Sequence, residues 1–164
     1  LQPLGKLYTV NVLAEPGVSN THPAINLFQA YIERADAVNF APYVLYQRPM
    51  GVALRPMVQT YGYDDTYSTE RTQNAVITAM GLPVARPLPA RPVTWPGASG
   101  PVPLIDLPAM NNIMTAGGQT TGVLLQADPM GAYDGHFVLF RNDALRAKVV
   151  AFLGSVADGM PAVR

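Results

Sequence analysis

The chain contains no cysteine, which excludes disulfide frameworks, thiolate metal sites and thiol nucleophiles from the start. Histidine is almost as scarce. His22 and His136 are the whole supply, set far apart with no metal-ligand spacing between them. No apolar run approaches the roughly 18–20 residues that a membrane-spanning helix requires, so no transmembrane segment is expected. Charged residues make up only 13 % of the chain, and eleven basic side chains cancel eleven acidic ones. Phosphate recognition needs clustered Lys and Arg; their absence predicts no nucleic-acid partner. Neither a metal nor an organic cofactor is implied. The lack of cysteine fits an extracellular or cell-envelope protein, where a free thiol is a liability. Lysine is limited to Lys6 and Lys148 against nine arginines, a bias compatible with a GC-rich bacterial genome. The sequence starts at Leu1 without a leader-like stretch, and we expect an upstream part to have been removed.

What is present is apolar: 49 % of 164 residues, with 16 prolines and 14 glycines. That is enough to build one modest core. Lys6–Leu13, β-branched and aromatic, reads as a strand. Residues 21–36 read as one helix. Thr21 can cap it, Pro23 sits in its first turn, and Ala24, Leu27, Phe28, Tyr31 and Ile32 share a face. Residues 38–50, broken by Pro42 and Pro49, read as a loop with at most one short helix. Met57–Tyr63 reads as a strand ending at a glycine. The helix after it can be capped by Ser68 or Thr69, is complemented by Glu70, and closes with Gly81-Leu82-Pro83. Its expected buried stripe is Ala75, Val76, Ala79 and Met80.

Residues 83–108 hold eight prolines, a density that predicts an extended arm without a helix or central strand. Thr121–Ala127 is a nearly continuous apolar run and predicts a strand buried on both faces. A helix from about Asp143 to Val156 closes the chain, its apolar face formed by Leu145, Val149, Phe152, Leu153 and Val156. Met110, Met114 and Met130 are expected to fill gaps in the packing. The alternation of strand and helix predicts an α/β fold with parallel strands, organised as an N-terminal segment 1–55 and a main segment 56–164 that carries the Pro-rich arm 83–110.

Two loops carry groups fit for proton transfer. Asp64 and Asp65 follow the strand that stops at Gly62, and His136 follows Gly135 in the loop after the second long strand. Open α/β sheets place functional residues at the C-terminal ends of parallel strands. An acid that orients a histidine, which accepts a proton from a hydroxyl, is the working unit of serine hydrolases. Asp64 is better suited to a turn or helix cap. Asp134, two residues before His136, is a rival orienting acid or a turn former. His22, beside Pro23, suits a helix start. Phe40, Tyr43, Tyr46 and Trp95 are aromatic groups able to line an acyl pocket or simply to pack.

The run QTYGYDDTYSTERTQNAVITAMGLP, followed by a strand, YDGHFVLF and an amphipathic helix, resembles the C-terminal part of an α/β-hydrolase of the bacterial lipase and esterase kind. In that family the acid lies in a G-x-x-D turn and the histidine in a G-H turn. Gly62-Tyr63-Asp64-Asp65 and Gly135-His136 match, so the resemblance implies Asp65 as the acid and His136 as the histidine. Residues 21–44 resemble the cap insertion that precedes the acid strand. The nucleophile elbow G-x-S-x-G is absent. Ser99, in Gly97-Ala98-Ser99-Gly100, has the wrong glycine spacing and follows the acid, whereas the family order is Ser, Asp, His. The resemblance therefore implies an α/β sheet completed by another chain. That partner is an N-terminal hydrolase chain from the same precursor, bearing the serine, and the substrate is a small ester or lipid. The contrasting expectation is a non-catalytic hydrolase-like subunit serving binding or assembly.

Overall fold

A computed structural model describes residues 23–89 and 103–164. The expected strand Lys6–Leu13, His22, Trp95 and Ser99 lie outside the described residues. The architecture is mixed α/β. Strands β1 (Met57–Gly62), β2 (Val84–Ala85), β3 (Leu104–Ile105) and β6 (Gly122–Ala127) form a parallel sheet in the order β1-β6-β2-β3. Strands β4 (Ile113–Thr115) and β5 (Gly118–Thr120) form a separate hairpin that runs directly into β6. The helices are α1 (Pro23–Ile32), α2 (Ala37–Leu45), α3 (Glu70–Met80), the short α4 (Val138–Arg141) and α5 (Asp143–Ala157).

Strand β6 is buried on both faces, as its unbroken apolar run requires. Successive side chains on a strand point to opposite sides, and β6 feeds two cores. Leu124 joins Tyr61, Tyr63, Leu45, Ile77, Met80 and Leu82 on the α2–α3 side. Val123, Leu125 and Ala127 join Val138, Leu145, Phe152 and Val163 on the α4–α5 side. Helix α3 ends as expected, with Gly81 left-handed at φ 70° and its N–H on the carbonyls of Ile77 and Thr78.

Several expectations need correction. Helix α1 stops at Ile32, and a single 3-10 turn (Glu33–Ala35) leads to α2, which includes Pro42. The span expected to be mostly loop is therefore largely helical. Asp36 starts α2 by accepting from Val38 N at 2.9 Å. Pro42 costs the helix one hydrogen bond, a penalty of about 3 kcal/mol. Burial of Ala41 and Leu45 against α3 offsets it, because one fully buried leucine contributes roughly 2 kcal/mol.

The Pro-rich arm also supplies a central strand, since β2 lies between β6 and β3. It survives because its prolines stand at its ends. Val84 N and Arg86 N donate to the carbonyls of Pro103 and Ile105, while the Pro83 carbonyl accepts from Leu124 N. In α3 Met80 is buried and Val76 and Ala79 pack on the core as expected, but Ala75 is exposed and Asn74 and Ile77 are buried beside them. In α5, Leu153 is exposed and Ser155 is buried in its place. Met110, Met114 and Met130 fill no gaps; all three are exposed.

Candidate functional site

The register of β1 and β6 decides where the two loops meet. The strands are parallel, with Gly62 opposite Ala127, so the loop carrying Asp65 and the loop carrying His136 leave the same end of adjacent strands. Two glycines then allow the backbones to touch. A Cβ on Gly62 would overlap the Gly135 carbonyl, and a Cβ on Gly135 would overlap the Tyr63 carbonyl. Only glycine fits at either place. The Asp64 carbonyl accepts from Gly135 N across this contact.

Asp65 and His136 are brought together, with Asp65 Oδ2 at 3.3 Å from His136 Nδ1. The carboxylate is buried, its side chain 6 % exposed, while the imidazole is 41 % exposed. Burial of a carboxylate is tolerable only when its oxygens are satisfied, and these are. Oδ1 accepts from Tyr67 N at 2.8 Å and Ser68 N at 2.7 Å. Oδ2 accepts from Gln73 Nε2 at 3.2 Å in addition to the imidazole. A carboxylate only accepts, so Nδ1 carries the proton and donates. The lone pair of neutral His136 is thereby placed on Nε2, the nitrogen turned away from Asp65.

The ring is held on its flanks. Tyr67 lies against it with centroids 4.8 Å apart and planes tilted by 31°. The Phe137 ring meets His136 edge-on at 5.3 Å, and also meets Tyr67. Asp134 does not reach the imidazole, and the hydrogen-bond pattern assigns it to the turn. It caps the 3-10 turn Gly135–Phe137 by accepting from His136 N at 2.8 Å. It also binds Thr66 through N at 3.2 Å and Oγ1 at 2.7 Å, tying the two loops together. Partial burial opposes ionisation of Asp134. The hydrogen bonds from His136 N and Thr66 outweigh it and hold the carboxyl below its ordinary value. Asp64 is exposed in a left-handed conformation, φ 56°, which aspartate adopts more readily than most residues. Its N–H donates to Glu70 Oε1 at 3.2 Å.

Beneath the site Tyr61 is almost fully buried. Burial first, then the negative charge of Glu70 and the nearby Tyr63 and Asp65, pushes its phenol far above the usual range, with a hydrogen bond from Asn74 acting the other way. Phe40 and Tyr43 are about half exposed on α2. A cavity of about 170 Å³ lies on the α5 side of β6, lined by Arg86, Leu125, Ala127, Asn142, Leu145 and Lys148; neither Asp65 nor His136 lines it. Among the described residues, no group of three or more His, Asp or Glu could hold a metal ion, and no helix is long and apolar enough to cross a membrane. Sequence reasoning missed Tyr67, Gln73 and Phe137. Tyr67 had a usable signal in its position two residues after the acid, where an aspartate side chain commonly accepts a backbone N–H. Gln73 had none. No family model matches the chain, and neither a curated protein nor a solved structure matches it significantly.

Proposed function

We propose that this chain is the C-terminal part of a serine ester hydrolase of the lipase or carboxylesterase type. The observation that carries the reading is the buried Asp65 carboxylate paired with Nδ1 of a partly exposed His136 at the shared end of two parallel strands. The nucleophile comes from outside these residues, on an N-terminal hydrolase chain of the same precursor that carries G-x-S-x-G. Its hydroxyl meets His136 Nε2. The imidazole takes the proton as the serine oxygen attacks the ester carbonyl, then gives it to the departing alcohol. Water repeats the sequence on the acyl-serine. Asp65 keeps the imidazole in the productive tautomer and stabilises the imidazolium as it forms. The oxyanion donors lie on the nucleophile-bearing part. Helices α1 and α2 serve as the cap, and Phe40 and Tyr43 line the acyl side of the pocket. The substrate is a small ester or lipid.

Substitution in the complete protein, with its nucleophile-bearing part present, tests this. His136→Ala lowers ester turnover by about 10⁴-fold or more, because triad members act as a unit. Asp65→Asn costs about 10⁴-fold through the wrong tautomer. Asp64→Asn stays within about three-fold, since a left-handed turn position also accepts asparagine. Equal turnover in all of these variants, or no ester turnover by the parent, transfers the case to a non-catalytic binding or assembly subunit. The observation favouring that second reading is the exposed row of Leu27, Phe28, Tyr31 and Ile32 on α1, a surface suited to a protein partner.

A further inference from the structure

The Asp65 carboxylate is fixed by four donors, and one of them comes from neither the acid turn nor the histidine. Gln73 lies in the first turns of α3, eight residues beyond Asp65. Its terminal nitrogen stands 3.2 Å from Asp65 Oδ2, 2.7 Å from the Ser68 carbonyl and 3.5 Å from the Gly62 carbonyl. All three neighbours are acceptors, so the amide can present only its NH₂ here. Gln73 thus joins the end of β1, the acid and the entry to α3 through one group.

The division of labour on the carboxylate follows from the partners. Oδ1 is held by two backbone N–H groups of its own turn. Among the described residues, Oδ2 is held by Gln73 and by the imidazole alone. Without Gln73 the two backbone N–H groups on Oδ1 still restrain the carboxylate, but the imidazole is then the one donor left on Oδ2 among the described residues. The tilt of that oxygen towards Nδ1 is no longer fixed independently of the ring. We propose that Gln73 is a positioning residue that acts through Asp65, fixing the Oδ2 lone pair towards Nδ1 and so fixing the tautomer of His136. Its importance for turnover rests on the hydrolase reading; its effect on the imidazole does not.

Three substitutions in the complete protein separate these levels. Gln73→Met keeps length and removes the donor. Gln73→Lys restores a donor to the same three acceptors. Gln73→Glu, in its ionised form, presents only acceptors to Asp65. The ring nitrogens of His136, followed by ¹⁵N NMR at a pH where the imidazole is neutral, report the tautomer directly. The parent and Gln73→Lys show the Nδ1–H form, whereas Gln73→Met and Gln73→Glu show a substantial Nε2–H population. In ester turnover, Gln73→Met lowers kcat by about 10- to 100-fold with KM little changed, because small misplacements of reacting groups cost this much. Gln73→Lys recovers most of it. A folded Gln73→Met protein that keeps the pure Nδ1–H tautomer overturns the proposal. The stated tautomer shifts in a protein that cleaves no ester uphold the positioning role and remove the hydrolase reading instead.

Discussion

The loop end of the sheet and the N-terminal helical pair are built on opposite principles. At the loop end, backbone meets backbone across Gly62 and Gly135, and a buried carboxylate has every oxygen occupied. Each group there has a specific partner. Helix α2 also has a partner, since Ala41 and Leu45 pack on α3. Helix α1 presents Leu27 and Tyr31 at 75 % and 82 % exposure. An apolar row at helical spacing announces that a helix wants a neighbour, but not where the neighbour is. The lesson is that polar, close-packed geometry locates a site, whereas amphipathicity locates only a face.

The sharpest way to break this comparison is Gly135→Ala. The added methyl collides with the Tyr63 carbonyl and crowds Asp65 N. Because these are backbone atoms that cannot rotate away, the expected loss is at least about 3 kcal/mol of stability. Denaturant unfolding of the variant, paired with loss of the Asp65–His136 contact by NMR, measures it. A stability equal to the parent means that the loops are not locked as described.

A smaller effect is expected from Asp134. Its folded value lies below the ordinary one of 3.8, so its contribution is fully present above about pH 5 and is lost as pH falls through the folded value. Thermal unfolding from about pH 5 down to about pH 3 should therefore fall less steeply for Asp134→Asn than for the parent. Identical slopes remove Asp134 from the set of groups tying the loops.

The smallest effect belongs to the other region. Leu27→Ser with Tyr31→Ser should alter the stability of this chain alone by no more than about 0.5 kcal/mol each, as exposed positions do. The same pair should reduce self-association seen by sedimentation, because it removes exposed apolar surface. A large loss of stability would show that α1 is buried in a way its exposure does not suggest.

Much of the frame is readable from residue order. The apolar run Thr121–Ala127 fits only a strand covered on both sides, and Gly81-Leu82-Pro83 leaves α3 no way to continue. The adjacency of Asp65 and His136 was also legible, because each follows a strand that ends at the same edge if the strands are parallel. Helix α2 was hidden because Pro42 argues against it locally, and only the α3 surface outweighs that. The buried face of α3 was legible in Met80, Val76 and Ala79, which do meet the core, but Asn74 reads as polar and is nevertheless buried, with a hydrogen bond to Tyr61. Strand β2 was hidden by flanking prolines whose missing N–H groups fall outside Val84 and Ala85.

The sequence by itself determined the two strand-end loops, their glycines, and the residue types able to move a proton there, since these depend on local geometry and on chemistry carried by single side chains. Tertiary structure alone decided which oxygen of Asp65 meets which nitrogen of His136, and that Gln73, Tyr67 and Phe137 hold the pair in place. It decided too that Asp134 binds the backbone of His136 and not its ring. These are choices among partners brought together from up to 71 positions away in the chain, and no local propensity encodes them; they follow from the parallel register that sets Gly62 beside Ala127.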